Sequence, residues 1–168
     1  MGLVGLGLLV LTIPAVASER AAGLLYAPGG AEEGSGWGAE FYRIDEDGAL
    51  RGGAVWFAGT LAPEPDVDTT IPHWDYYTET YDSRWGLLYL WGRDNGRVAL
   101  ISGIGVAIVE TVYIDHSNVT GWTWDGGWET SIEPQAQIGM LFHAGQNAAL
   151  RVGYDSQFGA FAGFACKF

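Results

Sequence analysis

The sequence holds little positive charge. Eight Lys and Arg stand against 20 Asp and Glu, a net charge of −12 over 168 residues. Nucleic-acid binding draws its affinity from cations set on phosphates, so a basic-patch role with DNA or RNA is excluded. Cysteine is nearly absent too, since Cys166 stands alone. A single cysteine builds neither an internal disulfide framework nor a cysteine-based zinc site. No cofactor is implied by any motif. A long apolar run is also missing. Leu3–Val16 is too short and too rich in Gly for the ~20 residues that a membrane helix needs. After it, no apolar stripe recurs at helical spacing.

What is present is apolar, aromatic and glycine-rich. Apolar residues make up 48% of the chain and charged ones 17%, so the chain is too apolar to be disordered. With 26 Gly, 8 Trp and 8 Tyr, the composition suits strands with aromatic ends and tight turns. The length fits one domain. Near the start, Ala15-Val16-Ala17 precedes Ser18 and Glu19, the small-residue pattern of a signal-peptidase site. We therefore expect an export signal over 1–17, a mature domain over 18–168 and an extracytoplasmic home. The lone cysteine agrees with that compartment.

Apolar and polar residues alternate at period two in eight segments, near 21–27, 36–44, 50–60, 81–92, 98–114, 129–144, 148–156 and 159–168. Connections after the second, fourth and sixth segments are short. Two of them carry Glu46-Asp47-Gly48 and Asp94-Asn95-Gly96, whose residues accept positive φ in hairpin turns. Those after the first, third and fifth are longer, over 28–35, 61–80 and 115–128. The seventh segment sets Ala148, Leu150, Val152 and Tyr154 on one face and Arg151, Gly153 and Asp155 on the other. The sixth opposes Ile132, Ala136, Ile138, Met140 and Phe142 to Glu133, Gln135, Gln137 and His143.

The polar faces carry Gly and Gln rather than the dense Lys and Glu of a wetted surface. The apolar faces are bracketed by aromatics such as Trp85, Trp91 and Tyr154. Apolar-out with aromatic girdles is the pattern of a transmembrane barrel. The expected fold is all-β, an eight-stranded antiparallel up-and-down transmembrane β-barrel. Closure matters there, because an open edge in lipid leaves backbone groups unpaired. Glu110 falls on the apolar face of the fifth strand, so it belongs near the outer rim or at a bulge. A soluble barrel with an apolar ligand cavity is disfavoured by the Glu and Gln of the sixth strand.

On strand count, connection lengths, the leader and the terminal Phe168, residues 21–168 resemble the small eight-stranded outer-membrane barrels of Gram-negative bacteria, such as OmpX and the OmpA membrane domain. The resemblance implies an outer-membrane location and contact with lipid and lipopolysaccharide. It also implies the short turns in the periplasm and the long connections outside. It makes the last strand an assembly signal for the barrel-assembly machinery, carried by Gly163 and Phe168. Cys166 takes the place of a second aromatic in that signal. It implies no catalytic residue.

Candidate sites divide between lumen and outer connections. Glu40, Glu133, Gln135, Gln137, Arg151, Asp155 and Lys167, with Arg84, can line a narrow polar path for a small-solute pore. The plainer reading is a closed network of ion pairs and hydrogen bonds that fills the barrel. His116, Ser117 and Glu129 are a base, a nucleophile and an acid, similar in kind to the lipid A deacylases. In those barrels one residue separates His from Ser, whereas His116 and Ser117 are adjacent and point to opposite faces of a strand. Glu64, Asp66 and Asp68 are oxygen ligands of the kind calcium takes, in a loop that reads equally as acidic and proline-stiffened. Trp74, Tyr76, Tyr77, Trp122, Trp124 and Trp128 are candidates for an adhesive surface or an interfacial belt. The expected role is that of a non-enzymatic barrel, structural or presenting acidic aromatic loops to an unknown surface ligand. A lipid A-modifying enzyme and a small-solute pore are the alternatives.

Overall fold

A computed structural model describes residues 19–30, 34–59, 76–117, 121 and 123–168. Eight antiparallel strands run in order: β1 Glu19–Gly30, β2 Gly34–Ile44, β3 Ala49–Gly59, β4 Tyr76–Asp94, β5 Val98–Ser117, β6 Thr123–His143, β7 Ala148–Asp155 and β8 Gly159–Lys167. Each pairs with its sequence neighbour, and β1 pairs with β8 from Ala21↔Lys167 to Tyr26↔Ala162, so the sheet closes into a barrel. The expected leader lies outside the described residues.

Alternation decides which side of the wall each residue meets. Outward positions are apolar and exposed: Leu24, Val55, Leu87, Ile104, Ile138, Leu150 and Phe164. Glu40, Gln135, Gln137, Arg151 and Asp155 point inward and are buried. An apolar outside is the arrangement of a membrane-spanning barrel, and here the inside mixes those polar side chains with apolar ones such as Leu25, Trp56, Leu88, Leu90 and Phe158. Aromatics gather on the outside. Tyr26, Trp37, Phe57 and Trp85 lie directly opposite one another across β1–β4, with ring centroids 4.7 Å apart for the first pair and 4.6 Å for the last.

The two ends differ. At the turn end lie both described termini and the hairpins at 45–48, 95–97 and 144–147. Gly48 and Gly96 adopt φ of +80° and +83° there, which only glycine takes without strain. At the other end β4, β5 and β6 run well past their neighbours. β3 meets β4 only as far as Gly59↔Ser83, and β7 meets β6 only from Gln137 downward. Tyr76–Asp82, Thr111–Ser117 and Thr123–Glu133 thus form a three-stranded sheet standing clear of the barrel.

This projection corrects the expected boundaries. Where connections were expected over 28–35 and 115–128, β1 reaches Gly30 and β2 begins at Gly34, while β5 reaches Ser117 and β6 begins at Thr123. His116, Ser117, Trp124 and Trp128 are therefore strand residues, as Glu129 was expected to be. Above the bilayer both faces of a strand meet water, so apolar alternation fades although backbone pairing continues. Glu110 stands outward between Ser83 and Thr130, one pleat beyond the level of Trp85, Ile108 and Ile132. It is at the rim opposite the turn end, and no bulge re-aims it. The β5–β6 irregularity lies higher, where Tyr113 faces Gly127 and Ile114 faces Asp125, leaving Gly126 as the extra residue.

Candidate functional site

Within the lumen, small residues make room for large ones. Gly38 lies beside Trp56, and a Cβ on it would stand 2.8 Å from the indole. Trp56 stacks on Phe158 at 5.2 Å and meets the edge of Phe161 at 5.3 Å. Its Nε1–H donates to Gln137 Oε1 at 3.1 Å. Gln135 donates through Nε2 to Asp155 Oδ2 at 2.9 Å. Asp155 Oδ1 accepts the amides of Gln157 and Phe158 at 2.8 and 3.2 Å, which ties the β7–β8 turn to the lumen.

Arg151 and Glu40 form the central ion pair, 3.3 Å apart, with both side chains fully buried. The guanidinium also donates to the Val152 carbonyl at 3.0 Å and lies 5.1 Å from the Phe161 ring centroid. A buried charge is tolerated only when paired and hydrogen-bonded, and each of these contacts serves that end. Five residues of the lumen set, Glu40, Gln135, Gln137, Arg151 and Asp155, thus line the barrel interior. Glu133 sits higher, half-buried beside Ser131. Arg84 is also at the outer mouth, 3.8 Å from Asp82.

Lys167 belongs to the mouth at the turn end. There Nζ lies 2.8 Å from Glu19 and 3.7 Å from Asp94. Asp94 also meets His143 Nε2 at 2.9 Å, and both side chains are almost fully buried. Burial pushes the Asp94 carboxyl up, but the Gly96 amide, His143 and Lys167 outweigh it and hold it below the ordinary carboxylate range. These residues, with Asp45, Glu46 and Asp47, rim an open recess of about 900 Å³.

The outer sheet carries the remaining candidates. His116 pairs with Glu79 at 3.3 Å. Ser117 is buried, one residue along the strand. Glu129 lies opposite Thr111, five register steps from His116, or about 17 Å at the strand rise. Its carboxylate accepts from the Tyr113 hydroxyl at 3.3 Å. The Tyr113 phenol is pushed up, by desolvation first and then by Glu129. The inward side of this sheet also holds Asp82 with Thr111 at 2.7 Å, and Asp115 hydrogen-bonded to Thr78. Glu64, Asp66, Asp68, Trp74 and Trp122 lie outside the described residues.

Trp85, Trp91 and Tyr154 all face outward and are exposed. Trp91 is near the turn end, while Tyr154 sits just before the β7–β8 turn at the other end. Gly163 faces inward, where a Cβ would strike the Leu24 carbonyl at 2.1 Å. Phe168 follows β8 outward, 6.5 Å from Phe41. Sequence reasoning missed Trp56, Phe158 and Phe161 as lumen filling. The signal for Trp56 was its parity with Leu50 and Ala54 on β3.

The class follows from closure, alternation and girdle: an eight-stranded transmembrane β-barrel with the fold of small outer-membrane barrels. Comparison with solved structures agrees. The attachment invasion locus protein Ail of Yersinia pestis, in complex with the heparin analogue sucrose octasulfate, aligns with a TM-score of 0.61 at 10% identity over 90% of this chain and 97% of that one. A second structure of Ail aligns at 0.57 with 11% identity over 89% and 93%. The N-terminal β-barrel domain of Pseudomonas aeruginosa OprF aligns at 0.51 with 14% identity over 90% and 96%. No protein-family model and no curated protein matches the sequence.

Proposed function

We propose that this protein is a non-enzymatic bacterial outer-membrane barrel that presents its projecting sheet to a partner outside the cell. The turn end faces the periplasm, the long connections face outward, and Gly163 with Phe168 serves the barrel-assembly machinery. The observation that carries the reading is the outer edge of β6. From Thr123 to Glu133 its backbone has β5 on one side and no β7 partner on the other. An edge left unpaired among the described residues is a template for a further strand. The filled lumen supports this role over a pore. The separation of Glu129 from His116, which already pairs with Glu79, supports it over hydrolytic chemistry.

Charge narrows the partner. The projecting segments carry Glu79, Asp82, Asp115, Asp125, Glu129 and Glu133 against His116, with Arg84 and Glu110 at their base, and the long connections contain no Lys or Arg. Ail was crystallised with a polysulfated sugar, whereas this surface repels such a ligand. An extended cationic peptide fits both the edge and the charge.

The test uses the folded barrel in detergent or nanodiscs. Lys-rich extended peptides should bind with an affinity that falls in salt, and Asp125→Asn with Glu129→Gln should weaken them about tenfold. Sucrose octasulfate should not bind. Tight octasulfate binding, or peptide binding indifferent to both substitutions, would overturn the reading. The barrel should also fractionate with outer membranes and migrate differently on SDS gels before and after boiling.

A further inference from the structure

Among the described residues, the cations of the lipid-facing surface stand at one rim only. Arg20, Arg43 and Arg51 lie directly opposite one another on β1, β2 and β3. By the pleat they share the outward side with Ala22, Phe41 and Val55. Arg93 on β4 points the same way, one pleat below Trp91, which faces Arg51. Like charges directly opposite one another destabilise a sheet. Of the row only Arg43 has an answering acid, Asp45 at 2.6 Å. Arg20, Arg51 and Arg93 make no side-chain hydrogen bond or ion pair among the described residues. Acids are close by, but Glu19 and Asp94 turn to the mouth and answer Lys167 and His143 instead.

Directly above the row the lipid face is notched. The next outward level reads Ala22, Phe41, Gly53 and Tyr89 across the same four strands. A Cβ on Gly53 would meet only the Leu88 carbonyl, at 3.3 Å, so among the described residues no side chain from another strand lies within 4 Å of that position. Unanswered cations beneath an apolar notch match a molecule that is anionic at one end and aliphatic at the other.

The geometry points to a binding site for an anionic phospholipid of the bilayer leaflet at the turn end. Its phosphodiester lies against Arg20, Arg51 and Arg93, and an acyl chain lies over Gly53 between Phe41 and Tyr89. The placement in the periplasmic leaflet rests on the orientation proposed above, but the preference for an anionic headgroup does not. Interfacial arginines recognise such headgroups by charge and hydrogen bonding.

The test is electron spin resonance of the purified barrel in phosphatidylcholine bilayers containing spin-labelled phosphatidylglycerol or spin-labelled phosphatidylcholine. The anionic lipid should associate at least about fivefold more strongly, the factor contributed by one near-surface arginine. Arg20→Gln with Arg51→Gln and Arg93→Gln should bring the ratio near one. Lys167→Gln removes a cation that points inward and should leave the ratio unchanged. If the triple variant does not fold, Arg20→Gln and Arg51→Gln singly should each lower the ratio. No preference in the wild type, or one that survives these substitutions, overturns the site. So does its loss to inorganic phosphate at constant ionic strength, which would mark a site for the free ion. None of these failures touches the outer-membrane reading, which fractionation and gel migration test separately.

Discussion

Arg151 and Glu40 show what a single residue risks inside a barrel. Each charge is tolerable only because the other is there, 3.3 Å away with both side chains fully buried. Arg151→Met therefore strands a carboxylate and should cost about 3–5 kcal/mol, read as a lower urea midpoint for loss of the folded gel form. Glu40→Gln added to it should recover most of that loss, since the uncompensated charge is gone. Equal stability of the single and double variants would show that the ion pair is not what holds this layer. The pair was legible in outline, because parity alone put Arg151 and Glu40 inside. Their direct contact was not, since they come from strands 111 positions apart and partner choice depends on barrel shear, which alternation does not encode.

At the scale of the element, the inward face of β2 begins with two glycines, Gly36 and Gly38, and the second admits Trp56 from β3. Gly38→Ala places a methyl 2.8 Å from the Trp56 ring, which has Phe158 and Phe161 on its other sides. Overpacking of this kind should cost about 1–3 kcal/mol, and Trp56→Phe in the same chain should relieve it. Thermal unfolding of the two variants checks this, and an undiminished midpoint for Gly38→Ala would show that the indole yields freely. Strand faces were readable wherever one side met lipid, because a bilayer penalises every misplaced polar group. Strand ends were not. In β4, β5 and β6 the outer segments mix Thr, Asp, Tyr and Trp on both faces, and only cross-strand pairing reveals that they are still strand.

For the whole molecule, the inner mouth joins β1, β4, β6 and β8 through Glu19, Asp94, His143 and Lys167. The Asp94 carboxyl sits below its ordinary value, so the folded state favours the ionised form. Its contribution is fully present above the ordinary carboxylate value of about 4 and is lost as pH falls through the lower folded value. Asp94 should therefore contribute a loss of stability on acidification below about pH 4. Asp94→Asn should be less stable at neutral pH and lose less over the same interval. Parallel acid profiles for the two proteins would remove Asp94 from the account.

The β1–β8 pairing has one more consequence. Every other ladder joins strands that are neighbours in sequence, so each can form as a hairpin as soon as its two halves meet. The seam alone joins the ends of the described chain, running from Tyr26↔Ala162 to the Arg20 and Phe168 backbone bonds of 2.9 and 3.3 Å. Forming it means closing a loop of nearly the entire protein, the slowest kind of contact for a chain to make. Its rupture would leave every sequence-local hairpin in place. The molecule is a curled ribbon with a single zip, and its folding clock should be set by how fast that zip meets its other half.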